Sequence, residues 1–562
     1  MTTLPRSEYP RPQMVRPDWI NLNGTWQFEI DHGDSGRARG LVEKPQLDGQ
    51  ITVPFCPESP LSGVGYKDFM AAVWYRRTFT LPDNWQGKRV LLHIGACDYR
   101  TEVWVNGRSV GVHVGGYVSF CFEITQALAP GENTLVICAQ DDTRSGAIPS
   151  GKQSNRYGSY DCVYTRTTGI WQTVWLEAAP QAYVARTRMI PDIDTGELNL
   201  EVFCEGAHGM TVSAQASYQG APMARAEARI TGNVARMTLK LAELHLWQPG
   251  DPALYDLALN LGEDRVTSYF GMRSIACVDG KLLLNGKPLF QRLVLDQGFY
   301  PDGIYTAPTD AELQADIQRS LDMGFNGARL HEKIFEPRFL SHADRMGYLV
   351  WGEHANWGLD VTDPGALACF LPEWLEAVQR DFDHPALVGW CPFNETQRNQ
   401  DDRVIETVYR VTKALDPTRP VIDSSGWVHV VSDLYCVHDY TQDPEQFRQI
   451  FKPLAPGEKA EGELAYKRES PFVSEYGGIW WQPGGEGWGY GERPKDEAEF
   501  LARYKGLTEA LLFHPGMCAF CYTQLTDVEQ EVNGLYTYDR RPKFDPAIIR
   551  AINSQRAAIE TE

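Results

Sequence analysis

Residues 386–395 read ALVGWCPFNE, an apolar run that stops on two polar side chains, Asn394 and Glu395. A short run of this kind, without clean alternation, is expected of a strand covered on both faces, as in a parallel sheet. The pattern recurs on either side of it. Upstream stand FQRLVL (290–295), FNGARL (325–330) and YLVWGE (348–353); downstream stand PVIDSS (420–425), LYCVH (434–438), PFVSE (471–475) and GMCAFCY (516–522). Helical periodicity fills the gaps. Thr309 and Glu312 form a T-x-x-E capping box, followed by Leu313, Ile317 and Leu321 on one helix face. Val404, Val408, Val411 and Leu415 line a second helix that stops before Pro417. Eight such strands alternating with helices over residues 274–562 predict a (β/α)8 TIM barrel.

Residues 1–180 carry a different pattern. GTWQFEI from Gly24, AVWYRRTFTL from Ala72, RVLLHIGAC from Arg89, EVWVNG from Glu102, TLVICAQD from Thr134 and IWQTVWLE from Ile170 are short strand-like runs separated by Gly, Pro and Asn. They predict an all-β sandwich or jelly roll. Residues 181–273 repeat the pattern on a smaller scale, from VARTRMI to VTSYFGMRSI, and predict a second β-sandwich of roughly seven strands.

The whole composition limits function. A chain of 562 residues cannot share one core. Its formal charge of −21 repels phosphate backbones, so nucleic acid is not an expected partner. No apolar run has the length of a membrane span, and the opening MTTLPRSEYPRPQMVRPDW has no apolar segment of the secretory type, so a cytoplasmic location is expected. The 12 cysteines are scattered through strand-like runs and read as buried free thiols. Cys518 and Cys521 form a C-x-x-C without a second pair, which falls short of a zinc site. No acidic loop has metal-ligand spacing.

Barrel chemistry sits at the C-terminal ends of strands. Glu353, Glu395, Asp423, His438 and Glu475 all end apolar runs. Glu395 closes the fourth strand and Glu475 the seventh, three steps apart around the ring, so they can face each other across the mouth. Two facing carboxylates are what glycoside hydrolysis needs: one protonates the leaving oxygen while the other attacks the anomeric carbon. Asn394 places an amide beside Glu395. After Glu475 come Tyr476, Gly477, Gly478, then Trp480, Trp481 and Trp488, indoles suited to stacking on sugar C–H faces in so Gly-rich a segment.

With those residues in view, the chain resembles glycoside hydrolase family 2, which includes β-galactosidases, β-glucuronidases and β-mannosidases. PDWINLNGTWQFEID, WYRRTFTLP, VWVNGRSVGVHVGGY and YTRTTGIWQTVWLE are similar to the family's sugar-binding-like jelly roll, and LWQPGDPALYDLAL with YFGMRSI to its immunoglobulin-like domain. DFDHPALVGWCPFNE resembles its acid/base signature and FVSEYGG its nucleophile segment. The resemblance implies a retaining exo-glycosidase with Glu395 as acid/base and Glu475 as nucleophile, needing no metal or cofactor. It further implies Arg329 as the arginine that orients the nucleophile, His331 near a substrate-site histidine, and His438 and Tyr440 as sixth-strand partners of the nucleophile, with Tyr440 the favoured one. Tyr522 falls near an aromatic floor position. Family members commonly form homo-oligomers, so an oligomer is expected, acting on a small oligosaccharide or glycoconjugate.

Departures from the family pattern bear on the sugar. The R-x-H-E run is replaced by QRLVLDQG, and Asp161 lies two residues from where a jelly-roll aspartate is usual. The family's glucuronidases clamp the substrate carboxylate with an Asn-x-Lys pair; here VNGLYTYDRRPK keeps Asn533 but has Leu535 for the lysine, leaving Arg493, Lys495 or Arg540 as substitutes. The main expectation is therefore a β-galactosidase-like enzyme. The alternatives are an α-L-arabinofuranosidase or β-galactofuranosidase, a β-galacturonidase or β-glucuronidase, and, in a different class, a non-catalytic carbohydrate-binding protein, which the presence of both glutamates opposes.

Overall fold

The computed structural model describes residues 4–452, 469–482 and 485–560. Among them the N-terminal region builds a six-stranded and a four-stranded antiparallel sheet, packed over a core that includes Trp26, Tyr75, Leu92, Val103 and Ile137. The second region, from strand Tyr183–Asp192 to strand Asp264–Phe270, builds a three-stranded and a four-stranded sheet. In its strand Glu197–Glu205, Leu198, Leu200, Val202 and Cys204 are buried, the period-2 pattern of a half-covered strand.

The third region is the barrel. Its strands are β1 (Gln291–Asp296), β2 (Gly327–Leu330), β3 (Leu349–Glu353), β4 (Leu387–Cys391), β5 (Ser424–Ser425), β6 (Leu434–Asp439), β7 (Ser470–Gly477) and β8 (Ala519–Thr523). Seven of them form one parallel sheet in the order β4-β3-β2-β1-β8-β7-β6. The eighth, expected over 420–425, shrinks to two residues: β5 pairs with Phe393–Asn394, the short continuation of β4 beyond Pro392. Pro392 has no amide hydrogen to give a ladder, so pairing resumes only after it. Helix α1 (Asp310–Asp322) starts as the capping box predicts, with Thr309 accepting from the Glu312 amide, and it buries Leu313 and Ile317. Helix α4 (Asp402–Leu415) buries Val404 and Val408.

Buried ion pairs lock the three regions together. Arg16 joins Glu177 of the first region to Asp264 of the second, and Arg6 reaches Glu336 of the barrel. Glu373, on helix α3 (Leu367–Asp381), accepts from the Tyr117 and Val118 amides of the first region. These contacts hold the loop at residues 150–164 over the barrel mouth: Ser150 and Gly151 donate their amides to the Trp357 carbonyl at 2.7 and 3.0 Å.

Candidate active site

Strand β2 carries Arg329 next to its end, a fully buried guanidinium with four acceptors. It donates to Glu353 Oε1 at 2.6 Å, to the Ser474 carbonyl at 2.7 Å, and to Glu475 Oε1 and Asn394 Oδ1 at 3.1 Å each. One side chain thus fixes the ends of β3, β4 and β7. The rigid planar fork of arginine makes that possible, where a lysine could not span all four. Glu353 also receives His331 Nδ1 at 3.0 Å and the Glu332 amide, so it anchors the cluster from beneath. Asp423 likewise serves its own loop, accepting from the amides of Ser424, Val430 and Val431.

Glu475 takes a second partner at its other oxygen: Tyr440, just past β6, donates its hydroxyl to Oε2 at 2.6 Å. Tyr490 stacks flat on Tyr440, ring centroids 3.7 Å apart. Burial alone would push the Glu475 carboxyl up, but His438 and the Arg329 charge outweigh it and hold the group below its usual range.

Glu395 has a left-handed backbone, φ 48°. That conformation is costly for a non-glycine residue and persists only where neighbours enforce it. Here the Glu395 amide donates to the Ser425 carbonyl at 2.7 Å and the Asn394 amide to Asn356 Oδ1 at 2.6 Å. The turn swings the carboxylate back toward β7. One carboxylate oxygen of Glu395, one of Glu475 and a ring nitrogen of His438 lie within 4.8 Å of one another. The set could in principle grip a metal ion, but Arg329, Tyr440 and His438 itself already occupy carboxylate oxygens of this pair.

His438 departs from its expected partner. Its Nδ1 is 2.7 Å from Glu395 Oε1, while its Nε2 is 3.6 Å from Glu475 Oε1 and 2.8 Å from Ser425 Oγ. Ser425 donates its own proton to Ser474 Oγ, and Ser474 donates to the Val437 carbonyl. Nε2 is therefore the donor to Ser425, and one proton is shared between Nδ1 and Glu395. That hydrogen bond and the charges of His438, Lys152 and Arg329 outweigh the upward push of burial on the Glu395 carboxyl. Replacing His438 with Gln removes the principal influences lowering Glu395 and one that lowers Glu475. Both limbs of the kcat/KM pH profile are then expected to move to higher pH, the basic limb because Glu395 keeps its proton longer. An unmoved basic limb would show that His438 does not govern Glu395.

Asn394 gives its Oδ1 to Arg329 and leaves a buried Nδ2 without a protein partner, a donor beside the carboxylate pair. A cleft of ≈ 510 Å³ lined by Trp357, Val361 and Gln397 opens onto Glu395.

Family models described as the sugar binding domain of glycosyl hydrolases family 2, as glycosyl hydrolases family 2 and as the TIM barrel domain of that family match residues 59–180, 182–273 and 275–485. The chain belongs to glycosyl hydrolase family 2. It is a glycoside hydrolase by that membership. Among curated relatives, a β-glucuronidase of Paenibacillus borealis is 23% identical over 97% of this chain and 98% of its own length. One of Canis lupus familiaris is 27% identical over 83% of this chain and 82% of its own length. A solved structure titled β-glucuronidase from an uncultured Clostridium sp. has a TM-score of 0.79 at 19% identity, covering 97% of this chain and 99% of that one, which shows the shared fold.

Several expected site residues lie elsewhere in this family 2 enzyme. Tyr522 is fully buried between the rings of Tyr476 and Tyr504 and is no floor of the mouth; on β8 its side chain faces helix α6 (Glu497–Leu512). Asn533 is also fully buried, its Oδ1 accepting from Gln524 and its Nδ2 donating to Glu531 Oε1 at 2.9 Å, so its amide positions Glu531. Of the three indoles, Trp481 is a core residue against Phe500 and Phe544, and Trp488 donates to the Asp161 carbonyl. Trp480 stays half-buried beneath Arg493 with a free indole N–H. Among the described residues His331 hydrogen-bonds Glu353 through Nδ1 and neither catalytic candidate. Arg540 is held by Asp316 and the Phe299 carbonyl, and Arg493 by the Gln482 carbonyl, so neither replaces the missing lysine; Lys495 is exposed.

Sequence reasoning missed four residues at the mouth: Lys152, Tyr164, Tyr490 and Glu531. Tyr164 donates to Glu531 Oε2 from the first region. Only Tyr490 left a signal, in the repeated glycine–aromatic pattern GEGWGYGE (485–492).

Proposed function

We propose that the chain is a retaining exo-β-glucuronidase. The reaction class rests on the pair Glu395 and Glu475, whose nearest offered oxygens lie within 4.8 Å. Direct displacement needs carboxyl groups about 5–5.5 Å apart, while an intervening water needs about 6.5–9.5 Å. Glu475, held ionised by Arg329 and Tyr440, attacks the anomeric carbon, while the proton in the hydrogen bond between His438 Nδ1 and Glu395 passes through the Glu395 carboxyl to the departing oxygen. In the second half-reaction Glu395 takes a proton from water, which attacks the same carbon and frees Glu475. The Asn394 amide hydrogen-bonds the sugar hydroxyl next to that carbon. The leaving group fits the cleft on the Glu395 side, where Trp357 and Val361 offer apolar surface.

The sugar is proposed from the relatives. β-Glucuronidases align along nearly the full length of the chain, which supports a uronide over the β-galactoside-like expectation. A neutral β-galactoside is the second reading, favoured by one observation: Leu535, fully buried, stands in place of the lysine of the Asn-x-Lys clamp. A panel of aryl β-glucuronide, β-galactoside and α-L-arabinofuranoside, followed by NMR of the first sugar anomer released, tests both parts. Fastest turnover of the glucuronide with the β-anomer first is expected. A preferred galactoside would replace the sugar assignment, and an α-anomer first would rule out double displacement.

A further inference from the structure

Lys152 comes from the first region, yet its side chain lies in the barrel mouth. The loop that carries it is stitched to the barrel through Ser150 and Gly151, and the Lys152 carbonyl accepts from the Tyr164 amide at 2.7 Å. The ammonium rests 3.5 Å from the centroid of the Trp357 ring. Trp357 in turn donates its indole N–H to the Asn394 carbonyl, so this platform is bonded to the residue beside Glu395. Burial works against the Lys152 charge, but Cys162 and the carboxylates of Glu395, Glu531 and Glu475 outweigh it and keep the group protonated.

What distinguishes Lys152 is that no neighbouring acid needs it. Glu475 is satisfied by Arg329 and Tyr440, Glu395 by His438, Glu531 by Tyr164 and Asn533, and Glu353 by Arg329 and His331. Among the described residues the Lys152 ammonium makes neither an ion pair nor a hydrogen bond; the indole face is its one close contact. Two other buried lysines of the barrel are spent: Lys333 on the Gly298 and Tyr305 carbonyls, and Lys543 on Asp527 and the Trp481 carbonyl. The Lys152 side chain is largely buried, but no protein group accepts from its ammonium, so its N–H groups are left for solvent or a ligand.

We propose that Lys152 is the specificity residue that receives the carboxylate of a uronic acid, doing from the jelly-roll loop what Leu535 cannot do from the barrel. This rests on the uronidase reading given above. An anionic sugar entering between Glu395, Glu475 and Glu531 meets like charges, and a cation in the mouth is required to offset them. The lysine stem, laid along Trp357, presents the charge without sacrificing packing.

The test compares 4-nitrophenyl β-D-glucuronide with the corresponding glucuronamide, which has the same shape and no charge. The wild-type enzyme is expected to favour the acid in kcat/KM, and Lys152→Met to reduce that preference by about 10- to 100-fold, as loss of a charge-assisted contact does. Lys152→Arg, which keeps the charge, should retain most of it, and thermal melts of all three proteins show whether each is folded. A wild type that favours the acid while folded Lys152→Met keeps the same ratio overturns the role of Lys152 and leaves the uronidase reading standing. If Lys152→Met does not fold, the Arg variant decides: loss of acid preference with the charge retained overturns the proposal. A wild type that cleaves the galactoside and ignores the glucuronide removes the reading itself.

Discussion

Glu475→Gln is expected to lower kcat on the order of 10⁵-fold while leaving the protein folded, because a neutral amide cannot attack the anomeric carbon. The substitution is nearly isosteric, so Arg329 keeps Glu353, the Ser474 carbonyl and Asn394 as partners and can still meet the new side-chain oxygen. The Tyr440 hydroxyl faces the altered position and loses a charged acceptor, worth about 1.5–3 kcal/mol where the bond is formed. Part of that cost is offset, since burial no longer opposes a charge at residue 475. Single-turnover measurement with an activated aryl glycoside checks the result. Burst release of the phenol at wild-type rate would place the nucleophile on another residue.

The second large effect depends on the substrate. Glu395→Gln removes the proton donor, and general acid catalysis contributes about 10²–10⁴-fold. That loss should appear in full for an alkyl or simple phenyl glycoside, whose departing oxygen needs a proton. For a dinitrophenyl glycoside the leaving group departs as a stable anion, so the first step should stay fast. The second step, which needs Glu395 as a base, should become limiting, giving a burst followed by slow turnover. Equal losses for good and poor leaving groups would mean that Glu395 does not protonate the oxygen. The left-handed turn at Glu395 is held by backbone contacts to Ser425 that the substitution leaves in place, so the comparison reads chemistry and not folding.

Much of the barrel was legible because its signals are local. Each parallel strand announces itself as a short apolar run, and Glu395 and Glu475 stand at the ends of two of them with their motif neighbours attached. Arg329 and Tyr440 followed in the same way, one a residue before the end of β2 and the other just beyond β6. The misplacements have physical reasons of their own. Tyr522 is one residue from the end of β8, and a one-residue difference sends a strand side chain to the opposite face, here toward Tyr504. Trp481 looked like a ligand platform because its surroundings are glycine-rich, but the loop turns it onto Phe500 and Phe544, residues near in space and distant in sequence. Of the two sixth-strand candidates, Tyr440 bonds Glu475, whereas His438 bonds Glu395, because the two carboxylates are so close that strand position cannot separate their partners.

By itself the sequence determined the three β and β/α regions, the order of the barrel strands, and the acidic residues at their ends, since periodicity and strand termini depend only on near neighbours along the chain. Only the tertiary structure decided what surrounds that pair. Lys152 and Tyr164 arrive from a domain more than 200 residues upstream of Glu395, carried there by Arg16, Arg6 and Glu373 acting between regions. Charge in the mouth is a sum over groups that no local pattern relates, and long-range packing alone sets their distances.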